Sequence, residues 1–172
     1  MDEALAGELL ARFASARLDR QAHLAEHGNE VHVPFLQVRN SAVQILPVTV
    51  GQLSIESCLD LGRVLAEIVR LREPSSVLLV ASTDMSHFVS ADEALRLDPL
   101  ALDCVVGLDA RALYQTVAAN GISMCGFIPT AVTIEACRVL GKKSAELLAY
   151  GHSGQATGDL TSVVGYATAV VS

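Results

Sequence analysis

The chain has 172 residues, 51% of them hydrophobic, no Trp, and a formal net charge of −7. That length suits one domain with a sizeable core, 1–172, and is short for two ordinary ones. The twelve basic residues are scattered, so nothing neutralises a run of phosphates, and a nucleic-acid binder is excluded.

The amino terminus, Met1-Asp2-Glu3-Ala4-Leu5, is acidic where a signal peptide is basic, and no apolar stretch approaches membrane-spanning length. A cytoplasmic chain without membrane contact is therefore expected. Residues 4–18 place Leu5, Leu9, Leu10 and Phe13 at helical spacing. Residues 43–50 are β-branched and apolar and predict a strand, with Pro47 marking an edge position or a bulge. Residues 54–71 predict a long amphipathic helix with Leu59, Leu61, Val64, Leu65 and Ile68 on its buried side. Glu73-Pro74-Ser75-Ser76 turns the chain into Val77-Leu78-Leu79-Val80-Ala81, an apolar run that predicts a buried strand.

Two helices follow, over 92–106 and 110–119, broken by Gly107 and by Asn120-Gly121. The best-marked helix spans 128–140, with Pro129 in its first turn and Gly141 at its C-terminal cap. Residues 145–150 and 162–171 predict two more strands, antiparallel to each other, around the Gly-rich loop 151–158. Strands alternating with helices predict an α/β fold, a mixed sheet flanked by helices. The four cysteines show no C-x-x-C spacing, so neither a zinc ribbon nor a disulfide framework is indicated. Cys58, Cys104 and Cys137 fall in helical patterns as small core residues, and only Cys125 falls in a loop.

Chemistry concentrates in three loops. Thr83-Asp84-Met85-Ser86-His87 follows the apolar run at 77–81, and the carboxyl end of a buried strand is where open α/β sheets place their sites. His87 is a candidate general base, with Asp84 available to fix its tautomer; the competing reading makes Asp84 a helix cap and His87 a surface residue. Cys125-Gly126 precedes a helix whose free N–H groups favour negative charge, which suits a metal ligand or nucleophile; the competing reading is a small buried residue. Glu26, His27, Glu30 and His32 form a dense set of candidate ligands, and a helix there would put Glu26 and Glu30 on one face. His23 and His152 have no partner visible in the sequence and read as surface residues. A Ser86 hydrolase lacks the Gly-x-Ser-x-Gly elbow, and 153–159 lacks the Lys of a phosphate-binding loop.

Four segments together resemble the Memo-like family, known as system protein B of the AmmeMemoRadiSam group. They are Glu26-His27-Gly28-Asn29-Glu30, Asp84-Met85-Ser86-His87, Cys125-Gly126-Phe127-Ile128-Pro129 and the loop from Gly151 to Asp159, in the family's order. Two departures stand out: Gly28 replaces a Ser, and Gln155 replaces the usual Asp. The resemblance implies the carboxy-terminal portion of a fold related to the class III extradiol dioxygenases, which use non-haem Fe(II). It implies Cys125 as a metal ligand, His87 as the group that acts on substrate with Asp84 beside it, and Glu26, His27 and Glu30 as residues that line and brace the site. The family's amino-terminal part, with a Pro-His-Ala-Gly-Tyr-like segment and a further histidine, has no counterpart here.

The expected function is a metal-dependent dioxygenase-type reaction on a small aromatic or phenolic molecule, with AMMECR-like and radical SAM proteins as partners. The alternative is a non-enzymatic scaffold that holds a peptide or protein beside a degenerate metal site; a Cys125 or Ser86 hydrolase is a third reading. A chain without half of its family's sheet is expected to form a homo-oligomer or a tight complex with a second polypeptide.

Overall fold

The computed structural model describes residues 1–74 and 76–172, so Ser75 of the expected 73–76 turn lies outside the described residues. In chain order the elements are α1 (Glu3–Arg12), a 3-10 turn (Gln21–His23), α2 (Val33–Arg39), α3 (Ile55–Arg70), β1 (His87–Val89), α4 (Ala91–Val106), α5 (Ala110–Asn120), α6 (Phe127–Val139), β2 (Ala145–His152), α7 (Gly154–Thr157) and β3 (Val163–Val171). Helices start where a short polar side chain can receive their free N–H groups. Asp2, Ser54, Ser90 and Asp109 each cap the helix that follows, accepting from Leu5, Ser57, Glu93 and Ala112. Gly121 ends α5 with φ of 61°, a left-handed angle that costs glycine nothing.

The main core lies where α3, α4, α5 and α6 meet, around Leu59, Met85, Leu97, Leu113, Met124 and Ile134. A second cluster joins α1, α3 and α6 through Leu9, Cys58, Leu61, Ile68, Ile128 and Val132. Burying one such Leu side chain contributes about 1.5–3 kcal/mol. The α3–α6 contact is so close that a Cβ on Gly62 would lie 2.7 Å from the Val132 carbonyl oxygen.

The α/β class is as expected, and the described sheet has three strands in the order β1-β3-β2, with both pairings antiparallel. Two expected strands are corrected. Among the described residues, 43–50 and 77–81 lie in no ladder, and 77–81 is not buried: Leu78 is 74% exposed and Val80 51%. The reason is partnership. The three laddered strands pair among themselves, and among the described residues neither apolar run meets a neighbouring edge.

Three smaller differences follow from local chemistry. The helix expected over 4–18 stops at Arg12, where Phe13 takes extended angles and packs into the second cluster. Residues 26–30 are not a helix: 28–32 form turns, and helix begins only at α2, with Pro34 in its first turn. The loop 151–158 holds the single turn α7. Among the described residues, no helix is long and apolar enough to cross a membrane.

Candidate functional site

The 83–87 loop is held from beneath. Met85 N–H donates to the Gly165 carbonyl and Gly165 N–H to the Ser86 carbonyl, both at 2.8 Å, which fixes the loop to β3. Ser86 and Asp98 are 0% exposed. Asp98 Oδ1 accepts from Ser86 N–H at 3.0 Å and from Ser86 Oγ at 2.5 Å, and its Oδ2 accepts from the Tyr150 hydroxyl at 2.8 Å. Burial, then the hydrogen bond and charge of Asp98, push the Tyr150 phenol up from its ordinary range. Gly165 lies directly against Asp98 Oδ2, and no Cβ would fit there. A serine buried this way and already donating to a carboxylate is no nucleophile, which removes Ser86 from the hydrolase reading.

Above this base sits His87. Its N–H donates to Ser123 Oγ at 2.7 Å, and its ring Nδ1 lies 2.8 Å from the Ser123 carbonyl oxygen. A carbonyl only accepts, so Nδ1 carries the proton and the neutral ring keeps its lone pair on Nε2. Ser123, not Asp84, therefore fixes the tautomer. Asp84 Oδ2 faces Nε2 at 3.6 Å, where it pairs with the ring only once that ring is protonated. Asp84 is no helix cap either; Ser90 caps α4.

Cys125 closes the third side. Its exposed thiol accepts from Asp84 N–H at 3.3 Å and lies 3.8 Å from Thr83 Oγ1. Thr83 Oγ1 accepts from Gly126 N–H at 2.8 Å and donates to the Asp84 carbonyl at 2.8 Å, tying the start of α6 to the loop. The fit needs glycine, since a Cβ on Gly126 would meet the Ser82 carbonyl oxygen and the Thr83 side chain. Asp84, His87 and Cys125 thus form one cluster from two distant segments.

The 26–30 segment contributes less. A Cβ on Gly28 would lie 3.3 Å from Ser82 Oγ, so this turn abuts the start of the 83–87 loop. Glu26 accepts from Asn29 N–H at 3.1 Å and from Asn29 Nδ2 at 2.9 Å, closing its own turn. His27 and Glu30 are exposed, and among the described residues neither side chain is hydrogen-bonded to the cluster. His23 is bonded through Nδ1 to Thr49 Oγ1 at 3.2 Å, and His152 is half-buried with an unpaired Nδ1. Among the described residues, no three His, Cys, Asp or Glu side chains are grouped to hold a metal ion. A non-haem iron site needs about three protein ligands, and these residues do not complete one around Cys125.

Sequence reasoning missed Ser123, Asp98 and Tyr150. Asp98 did leave a signal: it stands among Ala94, Leu97, Ala101 and Leu102 on the apolar stripe of α4, where an acid needs partners. Phe88 is also unforeseen. It occupies the register shift between His87 and Val89, holds φ at 57°, and sets its ring edge-on to His87 with centroids 5.9 Å apart. A bulky residue at that angle costs about 1–3 kcal/mol, which is the kind of strain that collects at sites.

A family model described as Memo-like protein matches residues 1–170. A MEMO1 family protein of Methanothermobacter thermautotrophicus is 38% identical over 167 residues, covering 97% of this chain and 60% of that protein. Another, from Aquifex aeolicus, is 37% identical over 160 residues, covering 92% of this chain and 59% of the relative. A third, from Methanobrevibacter smithii, is 36% identical over 172 residues, with 99% and 60% covered. The chain spans about 60% of the length of these relatives.

Proposed function

The chain belongs to the Memo-like family, and from that membership and the geometry around His87 we propose that it supplies the acid–base part of a dioxygenase-type site for a small aromatic or phenolic substrate. The observation that carries this reading is the 2.8 Å contact between His87 Nδ1 and the Ser123 carbonyl, which leaves Nε2 with its lone pair facing Asp84. A phenol hydroxyl placed there donates its proton to Nε2. The imidazolium so formed then faces the Asp84 carboxylate at 3.6 Å, which holds the charge in place. Phe88, beside the histidine ring, offers an aromatic edge to a flat substrate. Cys125 is the residue of this cluster that the family resemblance assigns to Fe(II), and the proton passes from the phenol to Nε2 without a metal. AMMECR-like and radical SAM proteins are the partners that belong to this reading.

A nitrocatechol tests the proposal, because ionisation of its hydroxyl shifts its absorption to the red. In metal-free buffer below the free compound's ionisation range, the protein should bind it and show the ionised spectrum. The His87→Gln chain should bind it un-ionised, with the ionised fraction down at least tenfold. An unchanged spectrum in His87→Gln, or no binding by the native chain, would overturn the acid–base role and leave the non-enzymatic scaffold as the better reading.

A further inference from the structure

Ser86, the residue before the candidate base, is tied on two sides. Its carbonyl accepts from Gly165 N–H, and its N–H and Oγ–H both donate to Oδ1 of Asp98. Asp98 lies twelve residues further along the chain, two turns into α4. The segment that leads into α4 is therefore gripped by α4 itself, through a carboxylate that solvent does not reach. The sheet makes room for this grip at Gly165, where a Cβ would collide with Asp98 Oδ2 and stand 3.0 Å from Met85 Cβ.

Beyond Ser86 the backbone is strained. His87 and Val89 pair with β3 across a register shift, and Phe88 between them holds φ at 57° while 79% exposed. A large side chain keeps a left-handed angle only where its surroundings over-determine it. With that exposure, packing does not hold Phe88, so the chain on either side does. On the far side stand the Val89–Val163 pair, the bond from Ala91 N–H to the Leu160 carbonyl, and the Ser90 cap of α4. On the near side stand the Gly165 bonds and Asp98. Between these anchors His87 is set with its N–H on Ser123 Oγ and its Nδ1–H on the Ser123 carbonyl. Release of the near anchor lets the bulge relax, and both bonds to Ser123 lose their alignment.

A buried carboxylate with its donors adds little net stability over apolar side chains of similar volume. Hydrogen bonds to a carboxylate are nonetheless about twice as strong as neutral ones, and two of them end on Ser86. We infer that Asp98 is a positioning residue for His87: through Ser86 it holds the strained 87–89 bulge, and so keeps His87 on Ser123 with Nε2 turned to Asp84. The inference rests on the acid–base reading proposed above, which gives that placement its use.

The test reads the His87 ring itself. In the full chain with isotope-labelled histidine, buffered above the ordinary histidine range, proton–nitrogen correlations report which ring nitrogen carries the proton. Comparison with His87→Gln identifies the signal. The native chain should show Nδ1 protonated. Asp98→Asn keeps the shape of the side chain and removes its charge. Its Nδ1-protonated fraction should fall at least threefold, and the ionised fraction of bound nitrocatechol by a similar factor. Tyr150→Phe should lose stability yet keep the native ring signal, because it takes a bond from Asp98 Oδ2 and none from Ser86. Ser86→Ala leaves the carboxylate and Tyr150 in place; it stands in where Asp98→Asn does not fold, with at least a twofold fall expected. A native ring signal in Asp98→Asn, or in Ser86→Ala where that chain stands in, would overturn the inference. An equal loss in Tyr150→Phe would do the same, since the effect would then be general softening. A ring signal that depends on Asp98, in a native chain that never ionises the nitrocatechol, would uphold the positioning role and overturn the acid–base reading instead.

Discussion

At the scale of single residues, Asp98 shows how a buried charge is made tolerable. A carboxylate without solvent costs several kcal/mol unless its oxygens are bonded, and here three donors meet it: Ser86 N–H, Ser86 Oγ–H and the Tyr150 hydroxyl. Asp98→Ala leaves all three without a partner in a dry pocket, so a loss of about 3 kcal/mol is expected in chemical denaturation. Tyr150→Phe removes one bond to a charged group and should cost about 1.5–3 kcal/mol. The two should not add, since both act on one network. Tyr150 also predicts a pH dependence. Its phenol is raised in the folded state, by burial first and by Asp98 second, so its stabilisation is complete below the unfolded tyrosine range near 10. It is then lost as the pH climbs toward the folded value. Denaturant midpoints taken between about pH 9 and about pH 11 should fall more steeply for the native chain than for Tyr150→Phe. Equal slopes would show that the hydroxyl is not held by Asp98.

At the scale of elements, periodicity and caps made the helices legible. The residues 54–71 and 110–119 became α3 and α5 almost unchanged because each has a polar cap before a 3.6-residue apolar stripe. What the sequence could not reveal was pairing. The runs at 43–50 and 77–81 have strand composition, but composition does not say whether a neighbouring edge exists, and among the described residues none pairs with them. The site was legible in the same uneven way. Asp84, His87 and Cys125 were visible as polar residues beside apolar elements, while Ser123 contributes a backbone carbonyl, which leaves no trace in residue type. The junction between the 83–87 loop and α6 gives a direct test. Gly126 has no room for a methyl group against the Ser82 carbonyl and Thr83, so Gly126→Ala should cost about 1–3 kcal/mol. Because that methyl pushes on the segment carrying Asp84, nitrocatechol ionisation should fall along with stability. A variant that loses stability and keeps full ionisation would show that the loop is placed by β3 alone.

At the scale of the whole molecule, stability and candidate chemistry come from different places. The four-helix core of α3, α4, α5 and α6 carries most of the fully buried side chains, whereas the edge at 77–82 has no ladder and leads straight into the site loop. Cooperative units in a protein open according to how much apolar surface and how many protected hydrogen bonds each holds. The α3–α6 pair, closed over Gly62 and shared by both core clusters, should therefore exchange its amides only through global unfolding. Residues 46–50 and 77–82, which find no backbone acceptor among the described residues, should exchange orders of magnitude faster in the isolated chain, as should α2, which has no buried residue. The amides of Ser86 and His87, donated to Asp98 and Ser123, should fall between these extremes, since they join the quiet core to the open edge. Hydrogen exchange read by mass spectrometry at low denaturant orders the three classes. If 77–82 proved as slow as α6, the apolar run would already be paired within the isolated chain, and the position of the site loop would be set by that pairing instead of by β3 and the start of α6.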